Sequence, residues 1–138
     1  MVAGEVSEFS YIPGDLWTVS PMGVHHVPGL FARNERLTTF LRTVKGECVL
    51  VKVGATVVGR IRVCYHDLVS NRSGAKNQQI VLKTPFQVNR GEELGLFELG
   101  STVICLFPKG QIELGELEAE QKLYLGQAVG RFCPDSKD

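Results

Sequence analysis

A glycine followed by a serine, Gly100-Ser101, stands between two apolar runs that favour β-strands. A serine held in an extended backbone brings its hydroxyl close to the preceding carbonyl, which glycine leaves unshielded. Because proximity supplies much of the catalysis in such a peptide, the pair predicts self-cleavage with Ser101 as the nucleophile and Gly100 as its partner. An ordinary turn before a strand has the same pattern, so the pair alone leaves that alternative open.

The elements that would position this pair are predicted to be mainly strands. Fifteen glycines and six prolines are spread along the chain, which favours short strands joined by tight turns. Residues 21–29, with two prolines and two glycines, are predicted to form a loop. Residues 116–123 are predicted to form the one short helix, near the C-terminus. The fold class is therefore mainly β, a single-domain β-sandwich or barrel-like sandwich. Strands are predicted at residues 2–12, 16–19, 37–44, 48–53, 56–65, 80–82, 86–88, 94–99, 102–107 and 127–132.

Composition narrows the classes of function. The 138 residues, 43% of them hydrophobic, suit one globular domain spanning residues 1–138. Fifteen basic and fifteen acidic residues cancel, so no charge excess attracts nucleic acid. No apolar run reaches the roughly 18 residues of a spanning helix, so any membrane contact is expected to be peripheral. The four cysteines contain no C-x-x-C pair and are interpreted as reduced core thiols, with no metal site.

Further blocks in a fixed order make the Gly-Ser pair a specific signal. Residues 99–102 read Leu-Gly-Ser-Thr and residues 11–16 read Tyr-Ile-Pro-Gly-Asp-Leu. Residues 27–36 read Val-Pro-Gly-Leu-Phe-Ala-Arg-Asn-Glu-Arg, and residues 53–59 read Val-Gly-Ala-Thr-Val-Val-Gly. With residues 90–95 leading into the pair, the chain resembles the phosphatidylserine decarboxylases from residue 4 to residue 132.

This resemblance implies a pyruvoyl enzyme that makes its own cofactor. Ser101 would cut the chain into a β chain, residues 1–100, and an α chain, residues 101–138. The two would stay associated because the strands flanking the cut share one sheet. Ser101 would become the pyruvoyl group, form a Schiff base with phosphatidylserine and serve as the electron sink for decarboxylation to phosphatidylethanolamine. The implied location is the cytoplasmic face of the cell membrane, and the resemblance leaves a homodimer open.

The resemblance also implies two missing residues. Family members activate the serine with an aspartate and a histidine that lie upstream of the region matched here. The chain is therefore expected to be the C-terminal part of a proenzyme and to process slowly or not at all alone. His25, His26 and His66 are interpreted as surface residues rather than substitutes. A non-catalytic β-sandwich, either a degenerate relative or a lipid-binding or carrier-like module, is the alternative.

Substrate contacts are predicted at three residues. Arg33 and Arg36 are candidates for gripping a lipid phosphate through bidentate hydrogen bonds. The alternative is that they pair with Glu35 or another carboxylate. Phe31 is predicted to form part of an apolar lip for acyl chains, with core packing as the alternative. The other members of this lip would be Leu16, Trp17 and Leu30.

Overall fold

The computed structural model describes residues 2–56, 60–98 and 102–134, and these residues are mainly β-strand, as predicted. Two short helices stand between the first two strands. Neither of them is long and apolar enough to cross a membrane. The strands are β1 (Gly4–Ile12), β2 (Arg36–Thr43), β3 (Gly46–Val53), β4 (Ile61–Val63), β5 (His66–Val69), β6 (Gln78–Val88), β7 (Gly95–Phe97), β8 (Thr102–Leu106), β9 (Ile112–Leu114) and β10 (Gly130–Phe132), and the helices are α1 (Pro21–His26) and α2 (Leu30–Arg33).

The strands form three antiparallel sheets. The largest has the order β6-β1-β2-β3-β8, the second has the order β5-β4-β7, and β9 pairs with β10. The sequence of β3 is apolar on both faces, which is typical of a central strand. The structure confirms this position, because β3 lies between β2 and β8.

The core lies between the two larger sheets. Phe9 and Leu37, from β1 and β2, pack with Ile61 and Val63 from β4. A second cluster continues along the five-stranded sheet and includes the buried Cys48. Burial alternates along most of β2 and β3, since side chains two residues apart share one face of a sheet. The packing of one sheet on the other makes the domain a sandwich.

The predicted helix at residues 116–123 is wrong. The structure shows turns and irregular backbone there, and Leu117 and Leu123 are exposed. The residue types favour a helix, but a helix this short is stabilised mainly by packing an apolar face. Among the described residues these two leucines are not buried, and the segment does not become helical.

The predicted loop at residues 21–29 is also wrong, because residues 21–26 form α1 and Gly29 is the N-cap of α2. Pro21 stands in the first turn of α1, where its missing N–H costs nothing. The Nδ1–H groups of His25 and His26 donate to the carbonyls of Pro21 and Met22, each at 2.8 Å. Prolines and glycines that suggested a loop therefore delimit two short helices.

Several strand boundaries also differ from the prediction. The strand predicted at residues 16–19 does not form, and only Ile61–Val63 of the predicted 56–65 strand is a described strand. Residues 80–82 and 86–88 belong to one strand, β6, which continues across Pro85. This is possible because β6 is an edge strand with a bulge opposite β1, so the proline leaves no ladder hydrogen bond unmade.

Candidate functional site

Two of the sequence blocks are joined to the loop after β1 by the side chain of Asn34, which is completely buried. Its Oδ1 accepts the backbone N–H of Trp17 at 3.0 Å. Its Nδ2 donates to the carbonyls of Trp17 and Gly54, at 2.8 and 2.9 Å. One amide thus ties the start of β2 to the loop after β1 and to the turn after β3. We call these three residues the Asn34 hub.

Backbone hydrogen bonds draw the same segments together. The N–H of Asp15 donates to the carbonyl of Arg33 at 2.9 Å, and the N–H of Glu35 donates to the carbonyl of Asp15 at 2.8 Å. The N–H of Gly54 donates to the carbonyl of Glu35, also at 2.8 Å. A Cβ atom on Gly14 would lie 2.3 Å from the carbonyl oxygen of Arg33. Only glycine allows this approach, which explains the Pro-Gly-Asp sequence of the first block.

Next to the hub lies a buried carboxylate, that of Glu35. Its Oε1 accepts a hydrogen bond from the Tyr11 hydroxyl and another from the backbone N–H of Asn71, at 2.7 Å. Burial raises the pKa of Tyr11, and the neighbouring Glu35 raises it further, so the phenol keeps its proton and remains a donor. The two donors compensate the cost of burying the carboxylate.

The predicted cleavage pair, Gly100 and Ser101, lies outside the described residues, but its described neighbours are anchored on both sides. Thr102 begins β8 and pairs with Val53, the residue before Gly54 of the hub. On the other side, the N–H of Glu98 donates to the carbonyl of Arg60 at 3.0 Å. The Glu98 carboxylate also forms an ion pair with Arg62 at 2.8 Å. The strand that follows Ser101 therefore starts beside the Asn34 hub.

The prediction that the strands flanking the cleavage pair share one sheet is wrong. β7 belongs to the three-stranded sheet, and β8 is an edge strand of the five-stranded sheet. β8 pairs instead with β3, from Val49 opposite Leu106 to Val53 opposite Thr102. The β3–β8 ladder therefore joins the segments before and after the predicted cleavage pair.

Arg33 forms an ion pair with a neighbouring carboxylate. Its guanidinium lies 2.9 Å from Asp15 Oδ2 and stacks 5.7 Å from the centre of the Trp17 ring. The Trp17 indole N–H donates to the same oxygen at 2.9 Å. The hydrogen bonds from Trp17 and then Arg33 lower the pKa of Asp15, which stays ionised. The alternative of ion pairing thus describes Arg33, with Asp15 rather than Glu35 as the partner.

Arg36 is held differently, by backbone carbonyls. Its Nη1 donates to the carbonyl of Ala32 at 2.6 Å and to that of Asn34 at 3.2 Å. Within the described ranges no carboxylate lies at ion-pair distance from this guanidinium. Arg36 pairs with Val53, which pairs with Thr102, so Arg36 and Thr102 share one face of the sheet. Two strand spacings, about 10 Å, separate their backbones.

Phe31 lines a shallow apolar depression between α1 and α2, with a volume of about 360 Å³. Val24, Val27 and Pro28 line the same depression. The four residues of the predicted apolar lip differ in their exposure, and so in whether an acyl chain could contact them. Leu30 is buried in the way the core-packing alternative describes, Trp17 is exposed, and Leu16 and Phe31 are half-buried.

The histidines lie on the surface, as interpreted from the sequence. His66 is exposed at the start of β5, and its Nδ1 accepts the N–H of Leu68 at 3.0 Å. In the described part of the chain no three His, Cys, Asp or Glu side chains are grouped to hold a metal ion. Cys48 is a core thiol as predicted, whereas Cys64 and Cys105 are exposed, Cys105 because it lies on an edge strand.

Sequence reasoning missed a buried lysine. The Lys52 ammonium donates to the Thr39 hydroxyl at 2.9 Å, and that hydroxyl is 2.6 Å from the Tyr65 hydroxyl. Burial lowers the pKa of Lys52 to about 8. The available signal was the alternation of β3, in which Lys52 takes the inward position after Cys48 and Leu50. The Asn34 hub had no comparable signal, because its partners are 17 and 20 residues away in sequence.

Comparison with known proteins agrees with this arrangement of blocks. A family model described as phosphatidylserine decarboxylase matches residues 1–131. Curated relatives named phosphatidylserine decarboxylase proenzyme include one from Anaeromyxobacter sp. (strain K), 44% identical over 132 residues, covering 94% of this chain and 47% of the relative. Another, from Myxococcus xanthus, is 42% identical over 130 residues, covering 94% and 46%. A third, from Brevibacillus brevis, is 41% identical over 131 residues, covering 93% and 46%. The chain spans about half the length of these relatives.

Proposed function

Because the chain belongs to the phosphatidylserine decarboxylase family, we propose that it is the part of a decarboxylase proenzyme that carries the self-cleavage pair. The whole protein would convert phosphatidylserine into phosphatidylethanolamine and carbon dioxide. The observation that carries this proposal is the pairing of Thr102 with Val53, next to Gly54 of the Asn34 hub. This pairing puts the strand that follows Ser101 against the segments that contain the other family-like blocks.

Self-cleavage would use atoms of the chain and water. The Ser101 hydroxyl attacks the carbonyl carbon of Gly100, the peptide nitrogen leaves and takes up a proton, and the amide becomes an ester. Removal of the α-proton of residue 101 then breaks its Cβ–O bond. This step releases residues 1–100 with a C-terminal carboxylate and leaves an unsaturated residue 101. Hydrolysis of that residue releases ammonia and leaves a pyruvoyl group on residues 101–138.

The described residues around β8 fit a chain end at this position. The first β8 pair involves Thr102, and the ladder continues away from the cut, so no described pair of β8 needs the peptide bond between residues 100 and 101. Once formed at residue 101, the pyruvoyl group would supply an electron sink for the substrate carbon that loses carbon dioxide. Other parts of the chain must bind and orient the lipid.

Arg36 is the candidate for the lipid phosphate. It lies on the same face as Thr102, two carbonyls orient its guanidinium, and its charge has no carboxylate partner in the described ranges. A phosphate at Arg33 would have to share the guanidinium with Asp15. The depression at Phe31 offers apolar surface for the first carbons of an acyl chain. The reaction would take place at the cytoplasmic surface of the cell membrane through a peripheral contact, because the substrate is a membrane lipid.

The two chains would stay associated after cleavage. The β3–β8 ladder joins them over five residue pairs. The Gln111 side-chain amide also donates to the carbonyl of Lys45 at 2.7 Å, so a second link lies beyond the end of β8. Neither interaction includes the residues at the cut.

A chimera tests the proposal. The matching region of the Anaeromyxobacter relative is replaced by residues 2–134 of this chain, so that the relative supplies its own upstream half. We expect two fragments on a denaturing gel, with a hydrazide reagent labelling the smaller one, and release of carbon dioxide from phosphatidylserine. The fragments should co-elute under native conditions.

The matched control is the same chimera with Ser101→Ala, which should remain whole and unlabelled. A chimera that folds, as judged by a cooperative thermal transition, but stays uncut would contradict the proposal. Cleavage of the Ser101→Ala chimera at the same bond would contradict the role of this hydroxyl.

A further inference from the structure

Glu35 keeps a carboxylate inside the fold with one oxygen engaged and the other open. The residue is only 4% exposed. Both of its side-chain hydrogen bonds go to Oε1, from the Tyr11 hydroxyl and from the backbone N–H of Asn71. Within residues 2–56, 60–98 and 102–134 no group donates to Oε2, and no basic side chain forms an ion pair with this carboxylate. Buried carboxylates are ordinarily paired or fully hydrogen-bonded, so the open oxygen is a candidate for chemistry.

The open oxygen lies over Gly54. A Cβ atom on Gly54 would be 3.5 Å from Glu35 Oε2, and the Gly54 N–H donates to the Glu35 carbonyl at 2.8 Å. Both residues are buried and follow directly on the pair of Arg36 with Val53, so they are neighbours on adjacent strands. Because Gly54 has no side chain, it places no atom of its own between Oε2 and the strand on the far side of β3.

The strand on the far side of β3 is β8, which begins at Thr102. Thr102 pairs with Val53, and Gly54 is the next residue after Val53. The two strands are antiparallel, so the step from Val53 to Gly54 corresponds to a step from Thr102 toward the predicted cleavage pair. Neighbouring strands are about 4.8 Å apart. Oε2 therefore faces the end of β8 that adjoins the cleavage pair.

Self-cleavage as proposed needs two proton acceptors. The first takes the hydroxyl proton of Ser101 during the attack on Gly100, and the groups for this step are expected in the part of the relatives that this chain does not match. The second takes the α-proton of residue 101 in the elimination that follows. A carboxylate oxygen without a donor has its lone pairs free for such a proton. The two hydrogen bonds to Oε1 hold the carboxylate in place while Oε2 stays open.

We propose that Glu35 is the base of the elimination step. After the Ser101 oxygen has taken over the acyl group of Gly100, Oε2 removes the α-proton of residue 101. The electron pair of that C–H bond forms the Cα=Cβ double bond, and the Cβ–O pair leaves with the Gly100 carboxylate. Glu35 is then protonated and returns the proton to water. This inference rests on the proposed function and adds the base that the second step lacked.

The test introduces Glu35→Gln into the chimera that contains residues 2–134 of this chain. Glutamine keeps an oxygen for Tyr11 and Asn71 but replaces Oε2 by an amide nitrogen, which cannot accept the proton. The attack on Gly100 should proceed, whereas formation of the pyruvoyl group should slow about 10²–10⁴-fold, the contribution of a general base. The variant should therefore accumulate the ester.

Hydroxylamine reveals this ester. It cleaves an ester at neutral pH and releases a smaller fragment that still begins with Ser101, whereas the unaltered chimera releases one that begins with the pyruvoyl group. Intact-mass measurement separates the two fragments, because the pyruvoyl form has lost the elements of ammonia. A purely structural role of Glu35 would not change which of the two fragments is produced.

Two further variants serve as controls. Glu47→Gln is the matched control, since Glu47 is exposed at the start of β3, at the end far from Gly54. It should give the pyruvoyl fragment at the unaltered rate. Glu35→Asp keeps a carboxylate with a shorter reach and should form the pyruvoyl group faster than Glu35→Gln but more slowly than the unaltered chimera. A cooperative thermal transition checks that each variant folds. Should Glu35→Gln not fold, Glu35→Asp takes its place and should accumulate the ester.

The inference alone is overturned, and the proposed function stands, if folded Glu35→Gln forms the pyruvoyl fragment at the unaltered rate. It is likewise overturned if this variant neither splits nor responds to hydroxylamine, because the carboxylate would then be needed before the elimination. Equal rates for Glu35→Asp and Glu35→Gln, or ester accumulation in Glu47→Gln, would also contradict it. An unaltered chimera that folds but stays uncut refutes the proposed function and this inference with it.

Discussion

Asn34 and Glu35 are consecutive, both are buried, and both are satisfied by groups that lie far away in sequence. A buried polar group without a partner costs about 1–3 kcal/mol, so each of these hydrogen bonds matters more for what its loss would leave unpaired than for its own strength. The surface pairs Arg62–Glu98 and Arg131–Glu113 contribute far less, because solvent screens them. At the residue scale, buried polar contacts therefore position the site.

Lys52 differs from Asn34 and Glu35, because burial disfavours its charge and no carboxylate in the described ranges compensates for this. Its pKa of about 8 in the folded protein lies below the ordinary 10.5, so the folded state binds this proton less tightly than the unfolded chain. Its cost to stability is full below pH 8 and fades as the pH rises toward 10.5. A depression of this size corresponds to about 3 kcal/mol.

We therefore predict that Lys52→Met is more stable than the unaltered chain by up to about 3 kcal/mol at pH 7. The advantage should shrink as the pH is raised from 8 toward 10.5. Thr39 keeps Tyr65 as its hydrogen-bond partner, so the substitution orphans no hydroxyl. Urea unfolding at several pH values measures the difference. Lys83→Met, at an exposed position of β6, should show no such trend, and a pH-independent difference for Lys52→Met would refute the argument.

At the scale of elements, the packing of a short segment against its neighbours decided whether it became a helix. Residues 21–26 became a helix although their composition is typical of a loop, and residues 116–123 did not, although theirs favours a helix. The first segment packs through Gly23 against the backbone of Thr18, whereas the second keeps Leu117 and Leu123 exposed. Glycines decide where elements approach each other, as at Gly14 in the turn after β1.

Gly14→Ala should destabilise the domain by about 1–3 kcal/mol, because the added Cβ would lie 2.3 Å from the Arg33 carbonyl oxygen and the backbone there must move. Trp17, three residues on, should report the displacement through its fluorescence. Thermal unfolding measures the loss. Gly115→Ala is the matched control, since the nearest atom to its Cβ would be the Val129 carbonyl oxygen at an ordinary 3.6 Å. Equal stabilities of the two variants would contradict the close approach.

At the scale of the whole molecule, the chain matches about half the length of its curated relatives. Each of the three histidines is exposed and forms a local hydrogen bond. His66 is exposed and engaged with the N–H of Leu68, and His25 and His26 belong to α1, with their Nδ1 groups bound to its own carbonyls. Under the proposed function, the groups that activate Ser101 would lie in the part of the relatives that this chain does not match.

The isolated 138-residue chain is accordingly expected to remain uncut at Gly100-Ser101, or to process 10²–10⁴-fold more slowly, roughly the loss associated with a missing general base. Intact-mass spectrometry over several days measures the fraction cleaved. Addition of the upstream half of the Anaeromyxobacter relative should accelerate cleavage. Rapid, quantitative splitting of the isolated chain would show that its own residues suffice.

The sequence by itself determined the family, the mainly β fold and the approximate positions of the long strands. Each of these depends on local information. The period-2 burial of β2 and β3 can be read from consecutive residues, and the family-like blocks are contiguous. The sequence also singled out Arg36 and Phe31, because both belong to such a block.

Only the tertiary structure decided which sheet each strand joins, and it separated β7 from β8 although they flank the same short segment. It also brought Asn34 to Trp17 and Gly54, buried Lys52, and directed Arg33 to Asp15. These outcomes depend on contacts between segments far apart in the chain, and the energy of such a contact is set by what else fills the same space. A local sequence pattern does not determine which distant segments pack together, so it predicts strands but not the strands that they pair with.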